Sequence, residues 1–239
     1  VHAAACDPAD MEQLSTLFDS ISREMPKLKG IFHSGAVIED QAISDADFET
    51  FQKVMRSKAL GAWNLHVLTE KYPVEQFVMY SSLANLIGNS RQSAYSAANG
   101  YLNGLVHFRR AQGLSGTSVI WGAIADVGVV AQDEKLEQFL RHIGLRGIPS
   151  SEGLELLLTA LARDEPQFGV LVLRSWADWA RFETIGSQSP RFASLIAADS
   201  EAADNGLRDE LVAELATLAE SERAELMSSL ISQIVASVL

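Results

Sequence analysis

At 239 residues and 26.0 kDa, with 47% hydrophobic residues, the chain carries enough apolar material for one sizeable α/β domain plus an appendage and falls outside the disordered class. A net charge of -12 argues against nucleic acid and anionic membrane surfaces as partners. The single cysteine, Cys6, excludes an internal disulfide and a cysteine-built metal site and suits a reducing cytoplasm, while no apolar run approaches the length of a membrane helix.

In chain order, Val1 to Cys6 is a short apolar run stopped at Asp7-Pro8, which predicts a strand and a turn. The opening VHAAACD has neither an initiator methionine nor a signal-peptide pattern, so a longer parent chain is expected. From Asp10 to Met25 the residues Met11, Leu14, Leu17, Phe18 and Ile21 recur at helical spacing until Pro26. Leu28 to Phe32 predicts a second strand, followed by the small-residue loop His33-Ser34-Gly35-Ala36. Phe48 to Tyr72 predicts one long helix, closed by Pro73. A strand follows at Phe77 to Tyr80, then a polar loop, a helix opening near Gln92, and a strand at Thr117 to Trp121. Strands alternating with helices predict a parallel sheet covered on both faces, with ligands bound beyond the carboxyl ends of the strands. Asp7, His33 to Ala36, Ser82 and Gly122 to Gly128 all fall at those ends.

Further on, Asp133 to Ile143 predicts a short helix flanked by Gly128, Gly144 and Gly147, either a lid over the site or a surface excursion. A helix capped by Ser151 is expected through Arg163, and a last strand over Gly169 to Leu173. Trp176 to Phe182 is an aromatic-rich helical turn suited to core packing. The Ser-, Ala- and acid-rich composition of residues 183–205 predicts a linker, and helical periodicity resumes over 206–239.

The stretch FVMYSSLANLIGNSRQSAYSAANGYLNGL, Phe77 to Leu105, holds the candidate chemistry. Ser82 closes a strand, Tyr95 lies thirteen residues on, and Asn99 shares its helical face one turn later. A phenol can give a proton, a hydroxyl can hold an oxygen and an amide can orient a neighbour, although all three residue types also suit capping. The spacing of Ser82 and Tyr95 resembles the short-chain dehydrogenase/reductase active site. In that superfamily a Lys commonly follows the Tyr by four, where this chain has Asn99. A Lys displaced to the preceding helix, here Lys58, resembles the ketoreductase domains of modular polyketide synthases and animal-type fatty acid synthases. The resemblance runs from Val1 to about Phe182, and its other marks are Cys6-Asp7, Trp121-Gly122 and Trp179-Ala-Arg-Phe182.

The resemblance implies an incomplete Rossmann-like fold that begins at the family's third strand, with a C-terminal helical appendage. The glycine-rich turn that cradles a dinucleotide pyrophosphate then lies upstream of Val1. It implies NADPH-dependent reduction of a β-ketoacyl group held on an acyl carrier protein, with Tyr95, Ser82, Lys58 and Asn99 catalytic. Cofactor contacts are implied at Cys6, Asp7, His33, Ser34, Gly35, Lys58, Tyr95, Trp121, Gly122 and Ile124. No metal is implied. Ile38-Glu39-Asp40 stands where reductases delivering the D-alcohol carry Leu-Asp-Asp, and Ile87 stands where the opposite class carries Trp, so Glu39, Asp40 and Ile87 are candidate stereocontrol residues. Partners implied are the carrier's phosphopantetheine-bound substrate, the upstream part of the same synthase and a further copy in an oligomer. Residues 206–239 resemble the leader and first helix of an acyl carrier protein, and a helical linker or a dimer contact fits them as well. The competing readings are a non-catalytic fragment of such a synthase and a free-standing short-chain reductase.

Overall fold

The computed structural model describes residues 1–127, 134–182, 188–201 and 223. Two compact units divide the chain at Arg174 and Ser175. In the first, helix α1 (Met11–Glu24) opens on Asp10, whose carboxylate accepts the Glu12 and Gln13 amides. Strand β1 (Gly30–His33) follows. Helix α2 (Phe48–Met55), a π turn (Arg56–Leu60) and helix α3 (Gly61–Lys71) then run in succession. Strand β2 (Gln76–Ser82) leads into a one-turn helix, α4 (Leu83–Ile87), and then α5 (Ser93–Ala111) and β3 (Thr117–Trp121). Helix α6 (Glu134–His142), β4 (Leu145–Arg146), α7 (Ser150–Arg163), β5 (Gln167–Val170) and β6 (Val172–Leu173) complete it.

Strands β1, β2, β3 and β5 form one parallel sheet in the order β1-β2-β3-β5, with β2 and β3 in register from Val78 opposite Thr117 to Ser82 opposite Trp121. Alternation along β2 sends Phe77 and Met79 to one face, packed with Leu14, Phe18, Leu65, Leu102 and Val106, and Val78 to the other, packed with Val119, Ile148 and Leu157. Both faces are therefore buried, as a sheet built from crossover connections requires. On α1, Leu14 and Phe18 of the apolar spacing read from the sequence meet this core.

Five expectations change. Val1 to Cys6 forms no strand; a strand exists only through a ladder partner, and in the described residues the neighbour of β1 is β2. The long helix over Phe48 to Tyr72 is interrupted by the π turn around Lys58. Ser151 does not cap α7: the Asp126 carboxylate accepts both the Ser150 amide and its hydroxyl, at 2.8 and 2.7 Å. The last strand divides, because β5 pairs with β3 while β6 turns to an antiparallel pairing with β4. Gly147 is no hinge, since a Cβ there would stand 2.9 Å from the Ala125 Cβ, and the Ala125 amide and the Ile148 carbonyl bond across this contact at 2.8 Å. The lid reading otherwise rests on Gly144, which adopts φ +81°, and on Gly128, which lies outside the described residues.

In the second unit, α8 (Trp176–Phe182) carries Trp179, 1% exposed and edge-on to Trp176 and Phe192. The aromatic turn is core, as its composition suggested. The stretch read as linker is helical over residues 190–201, and its Asp199 carboxylate accepts the Ser175 hydroxyl and the Ala177 amide at the start of α8. Linker composition was overridden here by one large side chain, Phe192, with aromatic partners to bury it. The helix expected over 206–239 lies, apart from Arg223, outside the described residues.

Candidate active site

The four candidate side chains converge where β2 ends. Ser82 is the last residue of β2, and its hydroxyl accepts the Ala84 amide at 3.2 Å, capping α4. Ser81 faces inward instead, 4% exposed, and donates to the Asn99 carbonyl at 3.3 Å. Tyr95, half-buried, sits in the first turn of α5, and the fully buried Asn99 amide donates to the Tyr95 carbonyl at 2.8 Å.

Lys58 arrives from the π turn. The extra residue in this turn lets the Gly61 amide reach the Arg56 carbonyl, and it places a lysine in the interior of a helix whose regular winding would be uninterrupted. Lys58 is 2% exposed; its ammonium donates to the Tyr80 carbonyl at 2.7 Å and stands 5.5 Å from the centre of the Tyr95 ring. Burial pushes its pKa down from 10.5 to about 8, so the cation is held at a cost beside the phenol. His33, read as a cofactor contact, turns inward: its Nε2 lies 3.1 Å from the Lys58 carbonyl, which can only accept, so Nε2 carries the proton. Burial holds the His33 pKa below its ordinary value.

The remaining cofactor candidates divide. Ser34 and Gly35 are exposed in the loop after β1. Asp7 accepts the Ala9 amide and then the Arg56 guanidinium at 3.0 Å, which together hold its carboxyl below the usual range, and burial raises the pKa of the neighbouring Cys6 thiol. Gly122 approaches the Val170 carbonyl so closely that a Cβ would stand 3.0 Å from it. The Trp121 ring lies against Tyr80 and Gly153, and Ile124 packs with it in the second core cluster, so these two side chains serve the sheet's other face.

Among the stereocontrol candidates, Glu39 pairs with Lys53, and Asp40 accepts from Gln92 at 3.0 Å while its carbonyl accepts from Arg91. Ile87 ends α4. The Glu39-Asp40 loop is thus latched to the segment that leads into Tyr95. The sequence reading missed the π turn and the Tyr80 carbonyl; neither leaves a local mark. A cleft of about 470 Å³ runs along α1 beside Cys6 and Asp10, and none of the four candidate side chains lines it.

Lys58, Tyr95 and Ser82 lie at the carboxyl end of a parallel strand, and comparison with known proteins identifies the family. A family model described as the KR domain matches residues 1–126. The chain belongs to this ketoreductase family. Mycoketide-CoA synthase of Mycobacterium tuberculosis is 33% identical over the whole of this chain and 6% of that protein. Polyketide synthase GfsB of Streptomyces halstedii is 34% identical, again over the whole chain and 4% of the relative. This ketoreductase chain therefore spans under a tenth of either relative. A further Mycobacterium tuberculosis synthase, 36% identical over 70% of this chain and 10% of that protein, carries the word inactive in its name. Among solved structures, the ketoreductase from the first module of phoslactomycin biosynthesis in Streptomyces sp. HK803 superposes with TM-score 0.74 at 28% identity, covering 81% of this chain and 44% of its own. An A-type ketoreductase from a modular polyketide synthase gives 0.72 at 32%, covering 84% and 41%. The fold is the Rossmann-like parallel sheet of that group.

Proposed function

We propose that this ketoreductase reduces the β-ketone of an acyl chain held on an acyl carrier protein, using NADPH, within a larger synthase. The single observation that carries the reading is the buried Lys58 ammonium 5.5 Å from the Tyr95 ring, at the end of a strand closed by Ser82. The residues fit a nicotinamide cofactor. Lys58 spends one N–H on the Tyr80 carbonyl, and the buried Asn99 Oδ1 has no partner among the described residues, an unmatched polar group beside the Lys58 and Tyr95 pair. Lys58 and Tyr95 would hold the nicotinamide side of the cofactor, and when bound it supplies the hydride.

The chain's own part is the proton and the charge. As negative charge grows on the ketone oxygen, Ser82 donates a hydrogen bond to it and Tyr95 delivers the proton. The Lys58 ammonium places a positive charge 5.5 Å from the centre of the Tyr95 ring. Asn99, bonded to the Tyr95 carbonyl, fixes the first turns of α5.

The non-catalytic reading gains from the relative whose name says inactive, yet all four residues are present and Lys58 is held buried at a cost in stability. The test is reduction of a β-ketoacyl thioester by the full-length polypeptide. Tyr95→Phe is expected to lower turnover by about a hundredfold or more, the range of a general acid; wild-type turnover would refute the reading. Asp40 is bonded to Arg91 and Gln92, just ahead of the helix that carries Tyr95, and Ile38-Glu39-Asp40 resembles the motif of reductases that deliver the D-alcohol, so the D-configured alcohol is the expected product; a predominantly L-configured product on a chiral column would overturn that assignment and leave the reduction standing.

A further inference from the structure

The reading of Ser82 and Tyr95 as a reacting pair requires that two residues on different elements keep a fixed separation. Ser82 is joined to α5 by α4, a helix of five residues, and one isolated turn is too short to hold its own place. Something beyond the backbone must fix it.

Three side chains form a directed chain of hydrogen bonds from the sheet to the turn that carries Tyr95. The fully buried Ser118 hydroxyl on β3 donates to Asn103 Oδ1 at 2.6 Å; Asn103 Nδ2 donates to Asn85 Oδ1 at 2.8 Å; and Asn85 Nδ2 donates to the Ser96 carbonyl at 3.1 Å. The Ser96 carbonyl can only accept, so it fixes the orientation of the Asn85 amide and, through it, that of Asn103, and the Ser118 hydroxyl rotates to suit. The bond is answered from the other side, for the Ser96 hydroxyl donates to the Ala84 carbonyl at 3.0 Å. Ala84 and Asn85 belong to the turn that Ser82 caps, and Ser96 is the neighbour of Tyr95. The facing helix leaves room for this: a Cβ on Gly100 would stand 2.8 Å from Asn85 Nδ2.

We infer that Asn85 is a positioning residue, clamping α4 onto the first turn of α5 and so setting the separation of Ser82 and Tyr95; the inference rests on the catalytic reading of that pair. Asn85 touches neither reacting group and acts through Ser96 and Ala84. A displacement of the order of an ångström between catalytic groups lowers a rate far more than it weakens binding.

The experiment measures kcat, KM and melting temperature for β-ketoacyl thioester reduction by the full-length polypeptide as wild type, Asn85→Ala, Gly100→Ala, the Asn85→Ala/Gly100→Ala pair, and Tyr95→Phe. Asn85→Ala is expected to lower kcat by about tenfold with KM changed by less than about twofold. Gly100→Ala, which displaces the same amide, is expected to do likewise, and the pair is expected to be no worse than either alone because both act through one group. Wild-type kcat in Asn85→Ala or Gly100→Ala, in protein where Tyr95→Phe is crippled, would overturn the clamp and leave the proposed function intact. Losses that multiply in the pair, or a rise in KM at constant kcat, would also overturn it. Wild-type turnover in Tyr95→Phe would bring down the functional reading and the clamp together. Should Asn85→Ala fail to fold, Gly100→Ala still decides.

Discussion

At the scale of the residue, Lys58 carries a conflict between stability and chemistry. Its pKa falls from 10.5 unfolded to about 8 folded because burial disfavours the ammonium. Between those values the unfolded chain binds more protons, so stability rises as pH climbs from about 8 toward 10.5, and the burial cost is fully present below about 8. At pH 7 that cost is about 3 kcal/mol in order of magnitude, from 1.36 kcal/mol per pKa unit. Lys58→Met is therefore expected to move the urea midpoint upward at pH 7, by less than the full amount because the Tyr80 carbonyl loses its donor. The gain should vanish near pH 10.5. The same variant should reduce ketones poorly, and wild-type turnover should fall as pH rises through about 8, when the cation beside Tyr95 is lost. A destabilised methionine variant, or a flat pH–rate profile between 7 and 9, would contradict this account.

At the scale of the element, caps and turns borrow partners from far along the chain. Helix α7 begins at Ser150, but its cap is the exposed Asp126 carboxylate, twenty-four residues earlier, bonded to the Ser150 amide and hydroxyl. Both bonds hold the Asp126 carboxyl below its ordinary range. Asp126→Ala is expected to lower stability by removing a helix cap, with α7 amides exchanging faster than those of α5. Unchanged stability would show that water replaces the cap without loss. The π turn makes the same point: His33 on β1 bonds the Lys58 carbonyl, so a strand-end side chain steadies the helical defect that aims the lysine.

At the scale of the whole molecule, β1 lies at one edge of the sheet and Phe32 on it is 51% exposed. An edge with unpaired backbone groups is a template for another strand. For these 239 residues expressed alone, pairing of two copies through this edge is the expected outcome. Sedimentation showing a monomer with micromolar NADPH affinity would contradict it. No helix among the described residues is long and apolar enough to cross a membrane.

Alternation and spacing settled much of this in advance. The apolar spacing of Met11, Leu14, Leu17, Phe18 and Ile21 marked α1 as a helix, and its Leu14 and Phe18 are buried, because solvent exclusion acts on whichever side chains share a face. The thirteen-residue gap between Ser82 and Tyr95 and the four-residue step to Asn99 likewise place three candidates at one strand end. What tertiary structure alone decided are features whose partners are remote: the π turn around Lys58, the inward turn of His33, the Asp126 cap, and the burial of Phe192 within a stretch composed like a linker. Each depends on a hydrogen bond or a contact between residues far apart in sequence, and local propensity carries no record of such a partner.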